Sequence, residues 1–131
     1  MDKFKPIHQH LLINATIISP MTKQEDALDF LETLVRKIGM VPVTKPQATY
    51  VTDLGNEGFT GSINLATSHI AFHCWDETGL LMLDVYSCRT FNEEVVYKHI
   101  EDYMGVIELL STSINRVDTG VYTKYFRNTK R

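Results

Sequence analysis

Long apolar runs, a basic stripe, a cysteine framework and any internal repeat are all missing from this chain. No stretch approaches the ~20 consecutive apolar residues that a helix needs to cross a bilayer, so no membrane association is expected. The opening residues MDKFKPIHQH carry neither an apolar h-region nor a small-residue cleavage site. Without a secretory signal, the expected location is cytoplasmic. Net charge is −3, and lysines and arginines are scattered until Lys124, Arg127, Lys130 and Arg131. Phosphate contacts supply most of the affinity for nucleic acid, so a mildly acidic chain of this kind is not expected to bind it. Those last basic residues read as a solvated terminus. Two cysteines, Cys74 and Cys88, are too few for a disulfide framework or a cysteine-based zinc site.

What remains is an ordinary globular composition, 44% hydrophobic and 22% charged over 131 residues. Folding a chain of this length buries roughly two-thirds of its surface, enough for one core, and the expectation is a single domain over 1–131. Residues 8–18 are rich in branched and apolar side chains and read as a strand, stopped by Ser19-Pro20. Thr22 followed by Glu25 fits a capping box, which opens a helix with Leu28, Leu31, Leu34, Val35 and Ile38 at helical spacing and Gly39 at its end. A short strand near Ala48–Thr52 precedes the turn Asp53-Leu54-Gly55-Asn56. Phe59–Leu65, Ser68–Cys74 and Leu81–Ser87 then read as three successive strands. Asn92 caps a second helix that carries Val95, Val96, His99, Ile100 and Tyr103 inward and stops at Gly105. Val106–Val117 is the last expected strand, and 118–131 reads as a surface tail. The order β-α-β-β-β-β-α-β favours an α+β fold, a two-layer α/β sandwich with a largely antiparallel sheet and both helices on one face.

Chemistry-capable side chains concentrate between Gly58 and Cys88, GFTGSINLATSHIAFHCWDETGLLMLDVYSC. Reactive groups on strands cost burial energy, and such clusters mark functional sites. If Ser68–Cys74 and Leu81–Cys88 form a hairpin turning at Asp76–Gly79, with His73 opposite Met82 or Leu83, Cys88 falls beside Ser68. Cys74 then lies ~20 Å away at the turn end, so Cys88 stays a free thiol. Residue type alone leaves Cys88 equally readable as a small buried hydrophobe. Glu77 alone reads as a solvated turn residue.

The gapped string TSHIAFHCWDETG followed by DVYSC resembles the signature of the small prokaryotic S-adenosylmethionine decarboxylases, roughly E-S-H-I-x-x-H-T-W-P-E-x-G and then D-V-F-T-C. The likeness is dense over residues 58–92, and the order of elements agrees along nearly the whole chain. It implies a zymogen that cuts itself between Thr67 and Ser68 by attack of the serine hydroxyl on the preceding carbonyl, leaving Ser68 as a covalent pyruvoyl group. That group forms a Schiff base with the substrate amine and serves as electron sink for decarboxylation. By the same resemblance Cys88 is the proton donor, His73 and Thr60 assist processing, and Glu77 binds the ribose hydroxyls of S-adenosylmethionine. The implied product is the aminopropyl donor of spermidine biosynthesis.

Ser68 and His73 differ by an odd number, so on one strand they face opposite sides roughly 16 Å apart. The resemblance implies a two-fold homodimer with shared sites, which answers this, and the expectation is that Ser68 and Cys88 of one subunit meet Thr60, His73 and Glu77 of the other. Trp75 and Phe59 are weaker candidates for stacking adenine. His69 reads as structural, its ring satisfied by backbone. His8 and His10 lack carboxylate or cysteine neighbours at ligand spacing, and no metal is expected. The chain departs from the family pattern at Thr67 (glutamate), Thr60 (serine), Cys74 (threonine), Asp76 (proline) and Arg89 (glycine). Threonine keeps a hydroxyl at position 60, whereas Thr67 removes a carboxylate. The alternatives are a sibling pyruvoyl-dependent arginine or ornithine decarboxylase, which would have no ribose for Glu77 to hold, and an unprocessed homologue that regulates an active subunit.

Overall fold

The structure, a computed structural model, describes residues 8–117 and 120–128. The elements run β1 (Gln9–Ile17), α1 (Gln24–Lys37), β2 (Gln47–Val51), β3 (Gly58–Asn64), β4 (His69–Trp75), β5 (Leu80–Ser87), α2 (Glu93–Met104), β6 (Val106–Asn115) and β7 (Val121–Arg127). All strand pairs are antiparallel, in a seven-stranded sheet ordered β2-β3-β4-β5-β1-β6-β7. Strand alternation sorts the side chains into two faces. Leu11, Ile13, Ala15 and Ile17 of β1 are buried, as are Ile70, Phe72 and Cys74 of β4 and Leu81, Leu83 and Val85 of β5. The helices cover that face, with Phe30 of α1 edge-on to Phe72 at 5.5 Å between ring centroids. The opposite face carries Met82 and Leu110 in the open. No helix among the described residues is long and apolar enough to cross a membrane.

The helix ends differ in how well sequence reports them. The residue at the N-terminal boundary of α1 is Lys23, with extended backbone and no side-chain cap, so the capping box expected from Thr22 is not formed. Glu25 and Asp26 in the first turn complement the helix dipole instead. At the other end Gly39 adopts φ +73° and its N–H reaches the Arg36 carbonyl, closing the helix as a left-handed glycine should. Asn92 caps α2 as expected, its side-chain oxygen accepting the Glu94 N–H at 3.0 Å. His99 packs between the helices, donating from Nε2 to the Phe30 carbonyl at 2.8 Å. Its Nδ1 then has only a lone pair, which accepts from the Lys37 ammonium at 3.2 Å. Burial, helped by Lys37, lowers the His99 pKa from 6.5 despite the bond to Phe30.

One expectation needs correction. The stretch read as a surface tail contains β7, paired along β6 from Ile114↔Val121 to Glu108↔Arg127. All seven of its residues are exposed, so the strand lacks the buried alternation by which sequence reveals strands. Asp118, Lys130 and Arg131 lie outside the described residues, and Lys124 reaches Glu94 at 3.8 Å. The β4–β5 register is the first of the two expected, with His73 opposite Met82. By that register Ser68, one position before β4, falls level with Ser87 and next to Cys88.

Candidate active site

Thr67 and Ser68 close the turn from β3 into β4, where the Leu65 N–H donates to the Ser68 carbonyl at 2.8 Å. The Ser68 side chain follows the parity of Ile70 and Phe72 and is buried, at 9% exposure. Its hydroxyl oxygen accepts the Cys88 backbone N–H at 3.3 Å. Thr67 follows the opposite parity and is exposed, its Oγ1 2.6 Å from the Cys88 sulfur. Residues twenty or so apart in sequence thus meet because β4 and β5 form one hairpin. Both cysteines are free. Their settings differ: burial, with a smaller push from Asp76, raises Cys74 to about 12, whereas Cys88 is only half-buried at the strand end. Cys74 is therefore an inert core thiol.

Thr60 and His73 are register partners across β3 and β4, with Oγ1 and Nδ1 2.8 Å apart. They lie on the open face of the sheet, where His73 is exposed. Close pairing of the strand ends needs Gly58, which adopts φ +151° and whose missing Cβ would fall 1.8 Å from the Cys74 carbonyl oxygen. Trp75 follows on the same face, half-buried, its indole N–H donating to Asn56 Oδ1 at 3.1 Å. Phe59 is core, at 4% exposure, and offers no free stacking surface. Glu77 is exposed in the β4–β5 turn. The fold therefore assembles two groups, Thr67–Ser68–Cys88 and Thr60–His73, and keeps them apart in one chain by strand length, with Ser68 also on the opposite face from His73. Glu77 joins neither.

The open face also carries a cluster that spacing along the chain did not reveal. His69 is exposed and tilts against Tyr86, ring centroids 5.4 Å apart, so it is not a backbone-satisfied structural histidine as expected. Tyr86 is opposite both His69 and His10 in the ladder, and its hydroxyl lies 2.5 Å from His8 Nδ1. Arg116 stands 5.5 Å over the same ring. His10 Nε2 lies 3.8 Å from Asp84, a carboxylate brought by β5 rather than by sequence proximity. Burial lowers the His10 pKa from 6.5, opposed by Asp84 and aided by His69 and Arg116. Period-two parity on β4 and β5 was the available signal, but the third strand, β1, could not be placed beside them from sequence. Among the described residues no group of three or more His, Cys, Asp or Glu is arranged to hold a metal ion. A groove of about 600 Å³ between α2 and β7 is lined by Glu94, Tyr97, Lys124 and Phe126 among others, and by none of the groups above.

Comparison with known proteins gives concordant matches. The sequence model described as S-adenosylmethionine decarboxylase matches residues 9–117. A protein of Archaeoglobus fulgidus named S-adenosylmethionine decarboxylase proenzyme is 30% identical over 82 residues, 60% of this chain and 73% of its own. Proteins of the same name from Thermococcus kodakarensis and Persephonella marina are 30% identical over 91 residues and 31% over 84. These matches cover 69% and 64% of this chain and 62% and 59% of the relatives' own length.

Proposed function

The chain belongs to the S-adenosylmethionine decarboxylase family, and from that premise we propose that it cuts itself at Ser68 and decarboxylates S-adenosylmethionine, supplying the aminopropyl donor for spermidine. One observation carries the reading: a half-buried free thiol, Cys88, lies against Thr67 while its own N–H holds the hydroxyl of Ser68. A nucleophile, the peptide bond it would attack and a proton donor thus occupy one strand end.

In the proposed self-cleavage Ser68 Oγ adds to the Thr67 carbonyl carbon. The C–N bond breaks, the hydroxyl proton passes to the departing amine, and an ester joins the two residues. Loss of the Ser68 α-proton then breaks the Cβ–O bond, which frees the Thr67 carboxylate and leaves dehydroalanine. Water displaces the nitrogen as ammonia, and residue 68 becomes pyruvoyl. Ser68 fits this precursor role because its hydroxyl is sheltered, oriented by a backbone donor and next to a free thiol. When formed, the group supplies an electron sink for the carbanion that loss of CO₂ leaves.

The chain's own residues do the rest. Cys88 returns a proton to the substrate carbon, and its thiol is free to do so because no disulfide engages it. His73, paired to Thr60, takes and gives the proton that elimination moves. Glu77 offers two acceptor oxygens to a ribose cis-diol. These two groups serve one reaction only if a second copy supplies the half that the first cannot reach. Support for a homodimer comes from the uncovered sheet face, where Met82 stands exposed opposite His73 and Leu110 is exposed further across the sheet.

Mass spectrometry of the purified protein tests this directly. Two fragments divided between Thr67 and Ser68, the second with a blocked N-terminus, together with CO₂ release from S-adenosylmethionine, are expected. A single intact polypeptide with an ordinary serine would end the proposal. Release of CO₂ from arginine or ornithine alone would keep the cleavage and replace the substrate.

A further inference from the structure

The connection from α1 to β2 runs along the cleavage end of the sheet. Its backbone grips β3 just before the Thr67–Ser68 bond: the Val43 N–H donates to the Asn64 carbonyl at 3.1 Å and the Ala66 N–H to the Val41 carbonyl at 3.0 Å. Pro42 forms an isolated antiparallel bridge with Leu65. Thr44 adds a side-chain contact, its Oγ1 accepting the Asn64 N–H at 3.1 Å, and its own N–H points back to the Asn64 carbonyl at 3.4 Å. On its other edge Asn64 pairs with His69 of β4, so the strand that delivers the scissile turn is held from both sides.

The same connection reaches the Cys88 side. The Arg89 guanidinium donates to the Gly39 carbonyl at 3.3 Å, and the Ser87 hydroxyl to the Met40 sulfur at 3.7 Å. Met40 packs against the core, but beyond it Val41 and Val43 are exposed, at 62% and 61%, so apolar burial does not explain the path over 41–44. Backbone and side-chain hydrogen bonds do.

We propose that residues 39–44 are a positioning bridge for self-cleavage, holding the strand ends on both sides of the Thr67–Ser68 bond so that the Ser68 hydroxyl meets the Thr67 carbonyl. The proposal rests on the cleavage reading above. Attack requires reacting atoms held within roughly 3–3.5 Å, and small misplacement is costly in rate. After the cut, residues 39–44 belong to the upstream fragment, while Ser87 and Arg89 belong to the downstream one. The bridge then ties the two fragments together beside the new ends.

Thr44 is the discriminating residue, because Thr44→Val keeps its shape and removes only the acceptor for the Asn64 N–H. Fragment appearance, followed on denaturing gels in the full chain, is expected to slow about fivefold in Thr44→Val, as for loss of one hydrogen bond. Thr44→Ser should restore the wild-type rate. In the Ser68→Ala background, where no cut is made, Thr44→Val should speed amide exchange at Asn64. Faster exchange at Asn64 with cleavage at the wild-type rate would overturn the positioning role, and so would unchanged exchange. A wild-type chain that never cuts would instead sink the cleavage reading, which separates the two failures.

Discussion

The two faces of the sheet are built to different rules. The face under the helices is closed by Leu11, Ile13, Phe72, Leu83 and Phe30, all at 1% exposure or less. The polar group at its helix layer, His99, has both ring nitrogens occupied. The other face holds His10, His69, His73, Tyr86 and Trp75 among exposed Met82 and Leu110. One face is closed by apolar packing that holds the fold, and the other leaves titratable and aromatic side chains uncovered. Ser68 and Cys88 stand at the margin between the two, with Ser68 on the covered parity and Thr67 on the open one.

Four measurements bear on that contrast, the largest effect first. Ser68→Ala should abolish self-cleavage and decarboxylation together, whereas Cys88→Ala should leave the fragments on a denaturing gel intact and lower turnover. Cutting by the Ser68→Ala protein would move the nucleophile elsewhere. On the covered face, Phe72→Ala should destabilise the fold by about 3–5 kcal/mol in denaturant unfolding, because it removes a fully buried ring. A loss below about 1 kcal/mol would mean that the core beneath the helices is not closed as described.

His99 gives a smaller, pH-dependent effect. Its folded pKa lies below 6.5, so its contribution is present above that value and is lost as pH falls through 6.5 toward the folded pKa. Unfolding free energy should decline by on the order of 1 kcal/mol per pH unit across that window, and the decline should shrink in His99→Gln. An unchanged slope would assign the acid sensitivity to other groups. Smallest of all, Met82→Ser on the open face should change monomer stability by less than about 0.5 kcal/mol, since the side chain is already 39% exposed. It should nevertheless weaken self-association in sedimentation, and an equally strong dimer would place the interface elsewhere.

Much of the fold was legible because it is local. The alternation in β4 and β5, the glycine in the intervening turn and the parity of Ser68 against His73 all follow from residues within one hairpin. The meeting of Ser68 with Cys88 was legible for the same reason. The capping box at Thr22 failed because a residue pattern shows which side chain is able to cap, whereas the backbone path decides which one does. β7 was missed because a fully exposed edge strand has no buried face to print a period on the sequence. The chain neighbours of His10 include no carboxylate, and its partner Asp84 arrives from another strand.

By itself the sequence determined both helices and every strand but β7, which side chains those elements bury, and that a serine, a cysteine and a histidine are distributed over one hairpin. Tertiary structure alone decided that β1 lies between β5 and β6, that His10 therefore meets Tyr86, and that residues 39–44 lie along the end of β3. The physical reason is that periodicity records only whether a position is covered. What covers it depends on which distant strand pairs alongside, a choice made by the packing of the whole sheet.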